Sequence, residues 1–248
     1  MLRTSAARIA LGITLMAALS GCVTLPPNSP RVPQDPWESW NRGVYKFNDV
    51  FDRAIAKPVA RTYVRVVPHP IRTGVSNFFA NLTTTTVMIN DALQGKPKAA
   101  LSDLGRFLLN STAGLGGLLD PATLAGMPHN DEDFGQTLGK WGVHPGPFLE
   151  IPLLGPSDLR DAPAKIVDVY TYPPTYAKSP WVSYGIWGVY LVNTRAELLS
   201  LDDTIQQAFD PYAFVRDAYL QHRAYLISDG KVSDDTPLVD PDADPGKP

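Results

Sequence analysis

The sequence lacks the residue patterns that usually mark a catalytic or metal-binding site. Its 248 residues include one cysteine, Cys22, so neither an intramolecular disulfide nor a cysteine-based zinc site can form. The four histidines are scattered, and none has a second ligand at the spacing that zinc requires. A Gly-x-Ser-x-Gly elbow and a phosphate loop ending in Gly-Lys-Ser or Gly-Lys-Thr are also absent. We therefore expect no enzyme, no metal and no cofactor.

Basic charge and long apolar runs are scarce as well. Lysine and arginine number 22 against 25 acidic residues, a net charge of −3, and no basic cluster is present that would neutralise nucleic-acid phosphates. No apolar run reaches 18 residues, so no transmembrane helix is expected in the mature chain. The 24 prolines and 19 glycines should divide the chain into short elements, which excludes a long coiled coil.

The N-terminus has the features of an export signal that ends in a lipid anchor. Arg3 and Arg8 precede a short apolar stretch, which closes in Leu19-Ser20-Gly21-Cys22 and resembles the bacterial lipobox. This predicts a lipoprotein signal peptide over 1–21 and acyl chains such as palmitate on Cys22, since several chains anchor a protein stably. The alternative is an ordinary secretory signal with an incidental cysteine. Val23, in place of aspartate, favours the outer over the inner membrane.

A proline-rich tether over 22–34 should lead into one folded domain over 35–229, followed by an acidic, disordered tail over 230–248. The domain has the pattern of an all-α protein. Asp35 and Pro36 should cap and open the first helix, whose apolar residues recur at steps of three and four. Further helices are expected after Pro58, Pro70 and Pro97 and over 131–140, 161–170, 181–201 and 211–227.

The aromatic stripe of the first helix allows two interpretations. Trp37, Trp40, Phe47 and Phe51 would form core in most proteins, but directly after a lipid tether they are equally suited to face a membrane. Phe47 lies in mid-helix on this apolar face, and Lys46 lies beside it on the polar face. We predict that this pair belongs to a gate helix, because deleting both residues would rotate the rest of the helix by roughly 200°.

A second candidate site is the segment 142–156, which carries four prolines and three glycines among large apolar residues. Helix is excluded there, and a hairpin-like loop with exposed apolar tips is expected. Such a loop would be costly in water and favourable beside a membrane. Gly142, Gly146 and Phe148 are therefore predicted to lie at the membrane or channel surface.

Several rare strings in order resemble the MlaA (VacJ) family of outer-membrane lipoproteins. They are Asp35-Pro36-x-Glu38-x-x-Asn41-Arg42, Tyr45-x-Phe47-Asn48, Arg106-Phe107-x-x-Asn110-Ser111-x-x-Gly114-x-Gly116-Gly117-x-x-Asp120, Phe134-Gly135-Gln136-Thr137-Leu138-Gly139, Gly155-Pro156-Ser157-x-x-Arg160-Asp161 and Thr194-Arg195-Ala196. One departure is His144-Pro145-Gly146-Pro147, a stretch with less glycine than the family's loop.

The resemblance implies a single ring-shaped domain of amphipathic helices on the periplasmic side of the outer membrane of a Gram-negative bacterium, beside a trimeric porin. Its channel would remove mislocalised phospholipid from the outer leaflet and pass it to a soluble periplasmic lipid-binding protein, which maintains lipid asymmetry. Two alternatives remain open: a purely structural porin-associated lipoprotein, and a phospholipid esterase.

Overall fold

The computed structural model describes residues 32–231. The predicted signal peptide, the acylated Cys22, most of the tether and most of the acidic tail lie outside the described residues.

The first half of the domain is helical, with breaks at proline and glycine. Pro68 separates the second and third helices, and Gly95, with a φ of 75°, separates the third and fourth. The elements are α1 (Glu38–Phe51), a π-helical turn (Asp52–Ala56), α2 (Lys57–Val66), α3 (His69–Leu93), α4 (Pro97–Thr112) and the single turn α5 (Pro121–Leu124).

The second half holds a hairpin between helices. The elements of this half are α6 (Phe134–Lys140), β1 (Phe148–Ile151), β2 (Gly155–Asp158), α7 (Asp161–Thr171), α8 (Pro180–Glu197), α9 (Asp202–Gln207) and α10 (Pro211–Ile227). The strands are antiparallel, with Phe148 opposite Asp158 and Ile151 opposite Gly155. The predicted all-α class and the hairpin-like loop are both confirmed. Within residues 32–231, the helices are too short or too polar to cross a membrane.

The elements contact one another in a closed order. Starting from α1, the path runs through β1, β2 and α7 to α3, then through α8 and α2 back to the π-helical turn and α1. The most extensive contact is between α3, which lies on this circuit, and α4, which packs against it. This closed order of contacts is what a ring-shaped arrangement, as the resemblance implies, requires, and we refer to it as the ring.

The predicted start of the first helix is wrong. The N-cap position belongs to Trp37, and the Asp35 side chain does not cap the helix. Instead Asp35 is buried, and its carboxylate accepts hydrogen bonds from Asn41 and Tyr212. A buried carboxylate must find several donors, and the neighbouring elements supply stronger ones than the helix N-terminus. The same Asp-Pro pattern does mark a cap at Asp120 and Asp210.

A carboxyl pair lies between α3 and α4. Asp91 and Asp103 are almost completely buried, and within residues 32–231 neither carboxylate oxygen of Asp91 has a hydrogen-bond partner. Burial raises the pKa of Asp91 to about 7, with further contributions from Asp103 and Glu132, which Lys96 opposes. Asp91 is therefore protonated at pH values up to about 7.

This pair predicts a pH-dependent stability. Between about pH 4 and about pH 7 the folded protein holds a proton on Asp91 that the unfolded chain has lost. The free energy of unfolding should therefore fall as pH rises through that range, by at most about 1.4 kcal/mol per pH unit. Asp91→Asn should flatten this dependence and raise stability at pH 8, measured by urea unfolding of the detergent-solubilised protein. Asp203→Asn, at an exposed site, is the control. An unchanged slope in Asp91→Asn would contradict the raised pKa of Asp91.

Candidate functional site

The aromatic stripe of α1 lies on the surface of the protein. Trp37, Phe47 and Phe51 are 43%, 38% and 37% exposed, and Trp40 is half-buried. The residue of the same stripe that does enter the core is Val44, which is wholly buried. The geometry therefore favours the surface-facing interpretation of these aromatics over the core one. Lys46, the other residue of the predicted gate segment, is exposed beside Phe47.

Exposed apolar side chains continue along other helices of the domain. They include Leu101 on α4, Leu124 on α5, Ile166 on α7, and Trp181, Tyr184 and Leu191 on α8. Scattered apolar residues are normal on a protein surface, but faces this extensive mark contact with a partner or a membrane. The apolar surface is thus a property of the whole ring.

The interior, in contrast, is mainly polar. Among the buried side chains of residues 32–231, polar and charged residues outnumber apolar ones. One cluster joins β2, α7 and α10: Arg160 donates to Asp161 over 2.8 Å, and Arg223 pairs with the other oxygen of Asp161 over 2.6 Å. Asp158 accepts the backbone N–H groups of Arg160 and Asp161 and so begins α7. Mutual pairing makes this dense burial of charge possible.

A second polar cluster joins α1 to α10. The Arg42 guanidinium donates to both carboxylate oxygens of Asp210, over 3.0 and 2.5 Å, and to Glu38 over 2.8 Å. It also lies over the ring of Tyr212, 4.5 Å from its centre. Because this bidentate geometry fixes both partners, α1 cannot rotate without breaking it. Except for Val44, the buried side chains of α1 are thereby polar, and Trp37, Phe47 and Phe51 of its apolar stripe are left exposed.

The hairpin has a buried base and an exposed tip. Gly142 and Gly146, with φ of 90° and 69°, shape the exposed loop that leads to β1. The prediction that Phe148 faces lipid or a channel is wrong: Phe148 is wholly buried, with its ring edge-on against Tyr212 and Tyr219. Successive side chains of a strand point to opposite faces, and the side chain of Phe148, the first residue of β1, points inward. The exposed apolar residues are instead Leu153 and Leu154 at the tip.

Two asparagines of α1, seven residues and thus about two turns apart, hold the hairpin. Asn41 donates to the carbonyl oxygen of Phe148 over 3.1 Å and accepts the N–H of Glu150 over 3.0 Å. Asn48 donates to Glu150 and to the carbonyl oxygen of Ile151, and it accepts the N–H of Leu153 over 2.7 Å. Sequence reasoning quoted both asparagines as motif residues but assigned them no role. Their spacing on one helix face is the pattern that could have indicated one.

Glu150 lies between α1 and the hairpin. It is 2% exposed, and this burial raises its pKa to about 7, against the opposing effects of the Asn48 hydrogen bond and the charge of Lys165. One carboxylate oxygen accepts from Asn48 over 2.9 Å, and the other has no hydrogen-bond partner within residues 32–231. Asn48 is therefore the residue of α1 whose side chain hydrogen-bonds to the buried Glu150 carboxyl.

An open cavity of about 360 Å³ lies between α3 and α8. Every side chain that lines it is apolar: Val75, Phe78 and Phe79 from α3, Leu118, and Val182, Ile186 and Val189 from α8. Gly185 completes the wall, and a Cβ placed there would meet no atom within 4 Å. A cavity of this size and lining is suited to hydrocarbon.

The polar groups are not arranged as a metal centre. Within residues 32–231, three histidine, cysteine or carboxylate side chains do not come together in a geometry that could hold a metal ion. The largest charged clusters are ion pairs between different helices and strands. These pairs stabilise the fold while apolar side chains remain exposed on its surface.

Comparison with known proteins places these features in a family. The family model described as MlaA lipoprotein matches residues 33–226. The chain is 38% identical to the intermembrane phospholipid transport system lipoprotein MlaA of Escherichia coli, covering 93% of this chain and 91% of that protein. It is 34% identical to the protein of the same name from Haemophilus influenzae, covering 80% and 81%. A solved structure, described as the structural basis for maintenance of bacterial outer membrane lipid asymmetry, matches with a TM-score of 0.70 and 37% identity over 78% of this chain and 98% of that one.

The exposed stripe of α1 predicts an unequal response to charge. Phe47→Glu should keep the thermal stability and abundance of the wild type, because the new carboxylate remains in contact with solvent or detergent. Val44→Glu, one turn away at a wholly buried site, should destabilise the protein by about 3 kcal/mol or more. Thermal unfolding of the two purified variants in detergent tests this. Equal destabilisation would show that the stripe is core.

Proposed function

The chain belongs to the MlaA lipoprotein family, and from this premise we propose that it is the lipid-anchored outer-membrane component of a phospholipid transport system. In this proposal it removes mislocalised phospholipid from the outer leaflet and passes it toward the periplasm, so that lipid asymmetry is maintained. The observation that carries the proposal is the arrangement of apolar side chains outside and polar side chains inside. A protein that lies among acyl chains gains by exposing apolar surface, whereas in water that surface would be costly.

A phospholipid requires two kinds of contact. Its acyl chains need apolar contacts, which the outer helix faces and the cavity between α3 and α8 offer. Its head group is polar and must be shielded from hydrocarbon, because burying an unpaired polar group costs roughly 2–7 kcal/mol. The polar side chains of the interior are buried and paired with one another, so a polar path for the head group is itself part of this proposal.

The remaining features complete the proposal. Acyl chains on Cys22 anchor the domain of residues 35–229 to the periplasmic side of the outer membrane, and the exposed apolar helices lie beside a trimeric porin. A soluble periplasmic lipid-binding protein receives the phospholipid. Lys46 and Phe47 act as part of a gate helix, since deleting them would turn Asn48 away from the hairpin that it holds. Trp37, Trp40, Phe51, Gly142 and Gly146 are the proposed membrane or channel residues.

A deletion strain tests the proposal directly. Loss of the gene should increase the phospholipid of the outer leaflet, and the wild-type gene supplied in trans should restore it. The measurement is labelling of surface-exposed phospholipid in intact cells. Unchanged labelling would favour the structural porin-associated alternative, and release of free fatty acid by the purified protein would favour an esterase.

The cavity provides a matched pair of variants for the same assay. Gly185→Leu should fill the cavity and reduce phospholipid removal, because Gly185 lines its wall. Gly188→Leu lies on the same helix outside that wall, and a Cβ there also meets no atom within 4 Å. Both changes should leave the fold intact, as leucine favours helix more than glycine does. Equal activity of the two variants would exclude the cavity from the lipid path.

The anchor gives a further prediction. Since Cys22 is the only cysteine in the chain, Cys22→Ser should leave a precursor without acyl chains and with its signal peptide retained at the inner membrane. Membrane fractionation and the electrophoretic mobility of the protein measure this. Normal processing and outer-membrane fractionation of the variant would contradict the lipoprotein assignment.

A further inference from the structure

The hairpin is held to α1 at two levels that differ in burial. At its base, Asn41, Phe148 and Glu150 are buried, and the Asn41 amide pairs with the free edge of β1 as a neighbouring strand would. The N–H of Phe148 donates to the carbonyl oxygen of Gln34 over 2.7 Å and extends this edge. Because the base combines packing with these hydrogen bonds, it does not depend on any one side chain.

The tip depends on Asn48. Leu153 and Leu154 are 58% and 66% exposed, and Leu153 has a φ of 64°, a left-handed conformation that is unfavourable for leucine. Besides the pairing of Ile151 with Gly155 and the turn bond from Leu154 to Ile151, the hydrogen bonds given to residues 151–154 in the described part of the chain come from the Asn48 amide. A strained turn with exposed apolar residues stays in place only while its surroundings hold it.

We propose that Asn48 is a positioning residue for lipid passage: its side-chain amide fixes the hairpin tip, and with it Leu153 and Leu154, at a set position on the gate helix. The inference rests on the proposed function of the ring in phospholipid transport. Asn48 follows directly after Lys46 and Phe47, so the exposed gate segment and the tip are joined through one side chain. A shift of α1 is thereby transmitted to the tip.

The chemistry of the contact requires an amide. The Asn48 Nδ2 donates to the Glu150 carboxylate and to the carbonyl oxygen of Ile151, while the Oδ1 accepts from the backbone of Leu153. Alanine can make none of these bonds. Aspartate can still accept from Leu153, but it loses both donors and places a second carboxylate against Glu150.

Hydrogen–deuterium exchange of the full-length protein in detergent tests the contact itself. In Asn48→Ala the amides of Leu153 and Leu154 should exchange about tenfold faster, while those of Phe148 and Glu150 at the base keep the wild-type rate. Asn77→Ala is the matched control, since Asn77 is, like Asn48, a half-buried asparagine on a helix, and it makes one bond to a backbone carbonyl. It should leave exchange across the hairpin unchanged. Unchanged exchange at the tip of Asn48→Ala would overturn the proposal, and so would equal acceleration at base and tip.

Surface phospholipid in the complemented deletion strain tests the role in passage. Asn48→Ala and Asn48→Asp, at wild-type abundance, should restore asymmetry at least threefold less well than the wild type. In the double variant Asn48→Asp/Glu150→Gln, donor and acceptor are exchanged, because the new glutamine amide can donate to the new carboxylate. This variant should recover most of the lost function, which a residue that only fills space would not explain.

The outcomes separate this inference from the proposed function. If the wild type restores asymmetry and Asn48→Ala restores it equally well, the positioning role is wrong and the proposed function stands. If the wild type itself has no effect on surface phospholipid, the proposed function fails, and the positioning role in passage fails with it. If Asn48→Asp is defective and the double variant is no better, the amide contact does not set the position of the tip.

Discussion

The pairing of buried charges is the constraint on which the rest of this structure depends. Arg160 is almost completely buried and is held by Asp158 and Asp161, while Arg223 joins Asp161 to Asp133. An unpaired charge in this position would cost several kcal/mol. Each helix or strand is therefore stable only where its buried charged side chain contacts one of opposite charge. The ring is therefore closed by ion pairs between elements distant in sequence, such as Arg42 with Asp210 and Arg195 with Asp52.

This constraint also decides which residues lie outside. Since the charged face of α1 is fixed inward by Arg42 and Asn41, the opposite face, with Phe47 and Phe51, is directed outward. In a water-soluble protein the hydrophobic effect would select the reverse orientation of such a helix. The arrangement is economical only where the surroundings are themselves apolar, which is the condition in the hydrocarbon core of a membrane.

The hairpin connects the buried, ion-paired side chains, which we call the polar frame, to the proposed lipid path. Its base is part of the frame, through Phe148 against Tyr212 and through Glu150 at the Asn41 amide. Its tip extends beyond the frame and carries exposed leucines, and Asn48 is the hydrogen-bonding side chain that joins this tip to α1. A rigid base with a separately held tip allows local movement without opening the ion-paired interior.

The sequence by itself determined the local structure and the family. Proline, glycine and the spacing of apolar residues predicted nearly every long helix and the hairpin, because these depend on backbone geometry and on contacts within a few residues. The motif strings identified the family, and several of their members, among them Asp35, Asn41, Arg42 and Arg160, are residues of the polar frame.

Only the tertiary structure decided the side to which each residue faces. Periodicity shows that a helix has two faces, but the partners that choose between them lie far away: Asp210 is 168 residues from Arg42, and Phe148 is buried because Tyr212 and Tyr219 of α10 pack against it. For the same physical reason Asp35 is a buried ion-pair partner and not a helix cap, since the donors that outweigh the cap come from the far end of the chain.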